Sequence, residues 1–157
     1  MEYLLLLCWL AACAVQDAEQ RKIANLLTLG GLAAALLHLL WFGTTLTGAR
    51  PAAAVVALAV ACLLSLPGYL SRRMGAADVK LLLALAAASD AAHVLFSVIG
   101  AALAMCTWVA LIRTQPSILF LIPKRFEYLR MPTLEQHPYA PFLLFGLAIS
   151  SLWLTTE

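Results

Sequence analysis

Two aspartates stand where apolar runs meet polar chain: Asp17 in "AVQDAEQRKIAN" and Asp78 in "GAADVKLLLALAAAS". Taken singly, each has an ordinary explanation. Asp78 can cap the helix it introduces, accepting from free backbone N–H groups and favoured by the helix dipole. Asp17 can be a solvated residue in a polar turn beside Glu19 and Arg21. Taken together they offer a distinct chemistry. Two facing carboxylates cannot both ionise cheaply, so one keeps its proton and the pair titrates as a unit. The ionised member can take a proton from water while the neutral one donates to a carbonyl oxygen, the division of labour in aspartic proteases. No other constellation competes. His38 and His93 fall toward the opposite side, and His137 lies in the last loop with no nucleophile beside it. The four cysteines, Cys8, Cys13, Cys62 and Cys106, are scattered singly through apolar runs without a C-x-x-C pair. They read as packed free thiols, and neither a metal nor a redox centre is expected.

The elements that must hold the two acids are hydrophobic. Of 157 residues 64% are apolar and 11% charged, with a mean hydropathy of +0.94, against about 45–50% and about 25% in soluble domains. The class is therefore an all-α membrane protein. No basic stretch with interleaved aromatics points to nucleic acid. "LLLLCWLAAC" imitates a signal peptide, but Met-Glu-Tyr precedes it where Lys or Arg belongs, so it reads as a membrane helix. Six spans are expected, at about 2–16, 26–42, 51–70, 78–89, 92–112 and 139–154. The fourth is short of the ~17–20 residues a crossing needs. It is joined to the fifth only through "SDAAH", which reads as a tight helical hairpin whose ends borrow flanking residues.

With six spans, nine of the ten basic residues fall in the connections after the first, third and fifth, and only Arg50 lies opposite. Basic loops stay cytoplasmic, so both termini face outward. Asp17 and Asp78 then share the cytoplasmic boundary. The chain reads as a single transmembrane domain over 1–157. Its 113–138 loop contains "SILFLIP" and "KRFEYLR", which suit an interfacial or re-entrant segment or an ordered loop resting on the bundle.

Three stretches carry a family likeness. In the first, Asp17 is followed by "RKIAN", with Asn25 in place and Ala24 where a proline is usual. The second is "GAADVKLL", in which Gly75, Asp78 and Lys80 fit a Gly-x-Gly-Asp-x-Lys pattern and Ala77 replaces the second glycine. The third is "PYAPFLLFG", from Pro138 to Gly146, with Ala140 for glycine. In these features the chain resembles the type IV prepilin peptidases, membrane aspartic proteases of the GxGD class, and especially their short forms serving Flp-type tight-adherence pili.

The resemblance implies Asp17 and Asp78 as the catalytic pair, with Gly75, Ala77, Lys80 and Asn25 supporting the site. It implies removal of a short basic leader from prepilin-like precursors at the inner membrane. Longer family members carry an inserted domain with paired C-x-x-C motifs and methylate the new N-terminus. This chain has neither the insertion nor those cysteines, so the expectation is a peptidase without zinc, cofactor or methyl transfer. Ala77 raises a specific question, because glycine before an aspartate permits positive φ and alanine hardly does. Two other classes fit a helical bundle. A non-catalytic subunit of a pilus or secretion assembly would need neither aspartate. A small proton-coupled carrier would place its polar groups near the midplane, where these spans offer little beyond Ser and Thr.

Overall fold

The computed structural model describes residues 2–120, 122–130 and 137–154. Among these the regular structure is helical: α1 (Glu2–Gln20), α2 (Asn25–Phe42), α3 (Pro51–Leu70), α4 (Ala76–Ala88), α5 (Ala91–Thr114) and α6 (Ala140–Leu154). Two 3₁₀ segments, Pro116–Phe120 and Lys124–Arg130, lie between α5 and α6. Helices α2, α3 and α5 have 18, 20 and 24 residues and are long and apolar enough to cross a membrane. At 1.5 Å per residue they run roughly 27–36 Å, matching the ~30 Å hydrocarbon core. Leu26, Leu40 and Leu63 are 84%, 82% and 74% exposed. Leucines so bare on long apolar helices need lipid around them. The chain is a helical membrane protein.

Helix α4 differs from the rest. Its 13 residues span only about 20 Å, and it gains just Ala76 and Ala77 over the expected span. Leu81, Leu82 and Leu85 are fully buried, as are the alanines around them. A helix apolar on every face belongs in an interior. Here α4 is the core, packed against α2 and α3, while α5 packs mainly on α6. The expected break between α4 and α5 is present at Ser89 and Asp90. Asp90 caps α5 by accepting from the His93 amide at 3.0 Å, and its other oxygen lies 2.9 Å from His93 Nδ1.

Local signals set the remaining ends. α2 stops at Gly43, whose φ of +69° is the left-handed helix-ending conformation, with its N–H bonded to Leu39 O. α3 starts on Pro51, whose missing donor costs nothing in a first turn. α1 runs to Gln20, a turn beyond its expected end, and stops where Arg21 turns left-handed at φ +51°. Asp17 therefore sits inside the last turn of a helix and not in a loop after it.

Two contacts fix the arrangement end to end. The Thr47 amide donates to Ala88 O at 3.2 Å, setting the α2–α3 connection against the C-terminal end of α4. Lys80 Nζ donates to Asn25 Oδ1 at 2.9 Å, setting the start of α2 against the N-terminal turns of α4. The 3₁₀ segments lie at the latter end. Trp108 Nε1 donates to Leu129 O at 3.0 Å, and Arg125 pairs with Glu19 at the end of α1. Residues 121 and 131–136 of the expected interfacial loop lie outside the described residues.

Where α1 crosses α2, the Trp9 indole donates to Leu27 O at 3.0 Å and lies over Gly31. A Cβ on Gly31 would stand 2.6 Å from the indole ring. Gly31→Ala therefore displaces Trp9 and breaks its hydrogen bond, costing about 1–2 kcal/mol. Thermal unfolding in detergent is the measurement, and a midpoint equal to that of the unaltered chain would contradict this account.

Candidate functional site

Three helix ends meet at the N-terminal end of α4. Asp17, in the last turn of α1, is only 5% exposed. Its Oδ2 accepts from the Ala140 amide at 2.9 Å, and the Tyr139 amide also faces the carboxylate. Ala140 opens α6, where backbone N–H groups have no partner within the helix. The carboxylate thus closes a helix N-terminus, where dipole and free donors favour negative charge.

Asp78 is the third residue of α4 and half-buried. Its Oδ2 accepts from the Gly75 amide at 3.1 Å, which fixes the side chain back over the helix start. A Cβ on Gly75 would stand 3.2 Å from that oxygen, so glycine gives the carboxylate its room.

Both carboxylates line one cavity of about 240 Å³, and they are close enough to repel each other. Arg21 and Arg73 contribute the cationic part of its wall, with His137 and Tyr139 beside them. Arg21 acts on both carboxylates and offsets part of their repulsion. Its left-handed backbone is what turns the chain at the end of α1. A cavity holding two acids, flanking cations and a helix N-terminus can bind water and a polarised carbonyl group. Proton transfer between water and that carbonyl is the chemistry such a pair supports. Among the described residues no three of His, Cys, Asp or Glu come together as a metal site.

The other residues singled out from sequence divide into wall and frame. Ala77 lines the cavity as the second residue of α4. Its backbone is helical, and the left-handed non-glycine residues are Arg21 and Arg72, so this position makes no demand for glycine. Ala140 is likewise helical and wholly buried, and its amide does what a glycine's would. Ala24 caps α2 with φ of −59°, close to the value proline imposes. Unlike proline it donates, to Gln16 Oε1 at 2.9 Å.

Asn25 and Lys80 lie outside the cavity wall and hold each other. They are a strut between α2 and α4, a pairing that their separate motif positions do not reveal. Replacing Lys80 by Met or Asn25 by Ala should each cost about 1 kcal/mol. The double variant should cost much less than their sum. Fully additive losses in a double-mutant cycle of unfolding would deny the strut.

Sequence reasoning also missed His137 and Tyr139 as cavity residues. His137 was passed over for want of a nucleophile, yet it is buried in the cavity wall. The available signal was its place directly before "PYAP", the entry to the last helix. Arg21 and Arg73, read as topology signals, belong to the same wall. His93 and His38 stay remote. His93 pairs with Asp90 at the start of α5, and His38 Nδ1 lies 3.1 Å from Thr44 O.

A family model described as the type IV leader peptidase family matches residues 4–110, a stretch that includes both aspartates. No curated protein and no solved structure matches the chain.

Proposed function

Because the chain belongs to the type IV leader peptidase family, we propose that it is an aspartic endopeptidase working at the cytoplasmic boundary of the inner membrane. Its substrates are prepilin-like precursors, from which it removes a short basic leader just ahead of an apolar helix. Asp17 and Asp78 act as one acid–base pair. The ionised member draws a proton from the attacking water while the protonated member donates to the oxygen of the scissile carbonyl. The protons balance: as the gem-diol intermediate breaks its C–N bond, the carboxyl that took water's proton hands it to the departing amine, and the other carboxylate recovers a proton from a gem-diol hydroxyl.

The observation that carries this reading is the convergence of both carboxylates on one polar cavity at the end of a buried helix. The wall's cations include Arg21, which offsets part of the repulsion between the two acids. They do not recruit a basic leader, which Arg21 and Arg73 would repel. In this reading the domain is a multi-pass unit of six spans with both termini outward, and the segment between α5 and α6 rests at the headgroups. Flp-type pilus precursors are the class to try first.

Co-expression with candidate precursors is the direct test. Loss of the leader appears as a faster-migrating band whose new N-terminus can be sequenced. A panel of such precursors left at full length, with the chain inserted in the membrane, would refute the assignment and favour a non-catalytic assembly subunit.

A further inference from the structure

A second cavity, about 760 Å³ and almost wholly apolar, lies along the outer face of the α5–α6 pair. Ile99 and Leu103 form one wall and Phe145 and Ile149 the other, each between 48% and 64% exposed. Gly100 and Ala104 lie low between them. A Cβ on Gly100 would come within 2.8 Å of Gly146 Cα, so the floor is where the two backbones nearly touch. The groove follows α5 from Phe96 to Leu111, about four turns or roughly 22 Å. That is most of the ~30 Å depth of a bilayer core.

One end of this groove adjoins the aspartate cavity. Pro141 and Phe142, at that end, directly follow Tyr139 and Ala140, which face Asp17. Ala104 of the groove precedes Met105 of the cavity wall. Trp108 lines the same end, tied to Leu129 of the 3₁₀ segment above it.

We propose that this groove seats the apolar helix of the precursor, directing the bond ahead of that helix into the aspartate cavity. The inference rests on the peptidase reading of the cavity. It follows from continuity: a bond cut immediately before an apolar helix requires that helix to leave the cavity along an apolar path in the membrane plane. The groove adjoins the cavity and covers roughly 22 Å of the ~30 Å that a membrane helix spans. Small residues on its floor allow a second helix to approach closely, and its walls supply the spaced apolar contacts of helix-in-groove recognition.

The test places a photoreactive benzoylphenylalanine at position 103 in a chain also carrying Asp78→Asn, co-expressed with a full-length precursor. Irradiation should join the chain to the precursor within its apolar helix. The same probe at position 63, on the lipid-facing side of α3, should not. Adducts only with lipid, or only between two copies of this chain, would overturn the proposal. Independently, Ala104→Trp should raise KM for the membrane-embedded precursor roughly tenfold with kcat little changed. An unaltered KM would contradict the groove. Cross-linking requires binding and not cleavage, so the two readings can fail separately. Capture at 103 of a precursor that the unaltered chain never cuts keeps the groove and refutes the peptidase; cleavage without capture does the reverse.

Discussion

Replacing Asp17 or Asp78 by Asn abolishes leader removal, lowering the cleavage rate on the order of 10³-fold or more, as loss of a positioned acid–base group requires. Neither change should unfold the chain. An asparagine at 17 still presents a carbonyl oxygen to the Ala140 amide, 2.9 Å from the present carboxylate oxygen. An asparagine at 78 can do the same for the Gly75 amide. What is lost is favourable charge at two helix starts, worth about 0.3–1 kcal/mol each. Against that, each substitution removes one of two repelling charges. Unfolding midpoints in detergent should therefore stay close to that of the unaltered chain while precursor processing disappears. On the proposed mechanism the pair works as a unit, so the double variant should be no slower than either single one. Processing that survives in both single variants would remove the aspartates from the mechanism.

Gly146→Ala carries the second large effect, and it is structural. A Cβ at this position would lie 2.1 Å from Ser97 O and 2.9 Å from the Ala101 amide nitrogen. Both obstacles are backbone, so no rotamer change relieves the clash and α5 and α6 must separate. The buried hydrogen bond between Ser97 Oγ and Ser150 Oγ, 3.2 Å long, is lost with the crossing. Overpacking usually costs about 1–3 kcal/mol, and a backbone clash belongs at or above the top of that range. The control is Gly30→Ala, where a Cβ meets nothing within 4 Å. It should be neutral or stabilising by up to ~1 kcal/mol through helix propensity. Equal midpoints for the two variants would mean that α5 and α6 do not cross so closely. Activity should fall with Gly146→Ala as well, because α6 carries the amide that holds Asp17.

Much of this arrangement could be read from the chain because a membrane leaves few places for charge. Asp17, Asp78 and the basic residues beside them stand out against long apolar runs, and their helix-edge positions follow from that contrast. The limits are equally physical. An unbroken apolar run looks the same whether it faces lipid or lies inside a bundle, so α4 was legible as a short span but not as the core. The donors to Asp17 are backbone amides from the far end of the chain, and backbone groups leave no trace in residue types. Asn25 and Lys80 stood out as isolated motif positions. Only the packing of α2 on α4 makes them partners. Alanine in place of glycine at 77 raised a question in sequence, and there, as at 140, it proves compatible with helical backbone.

The bond from Ala140 to Asp17 also says something about which portion of the polypeptide constitutes the working unit. The segment recognised by the family model stops at residue 110, before α6 begins. A protein trimmed to that boundary would retain both acids yet strip Asp17 of the Ala140 amide that donates to it. On the proposed reading, the last helix therefore belongs to the unit that holds the site together.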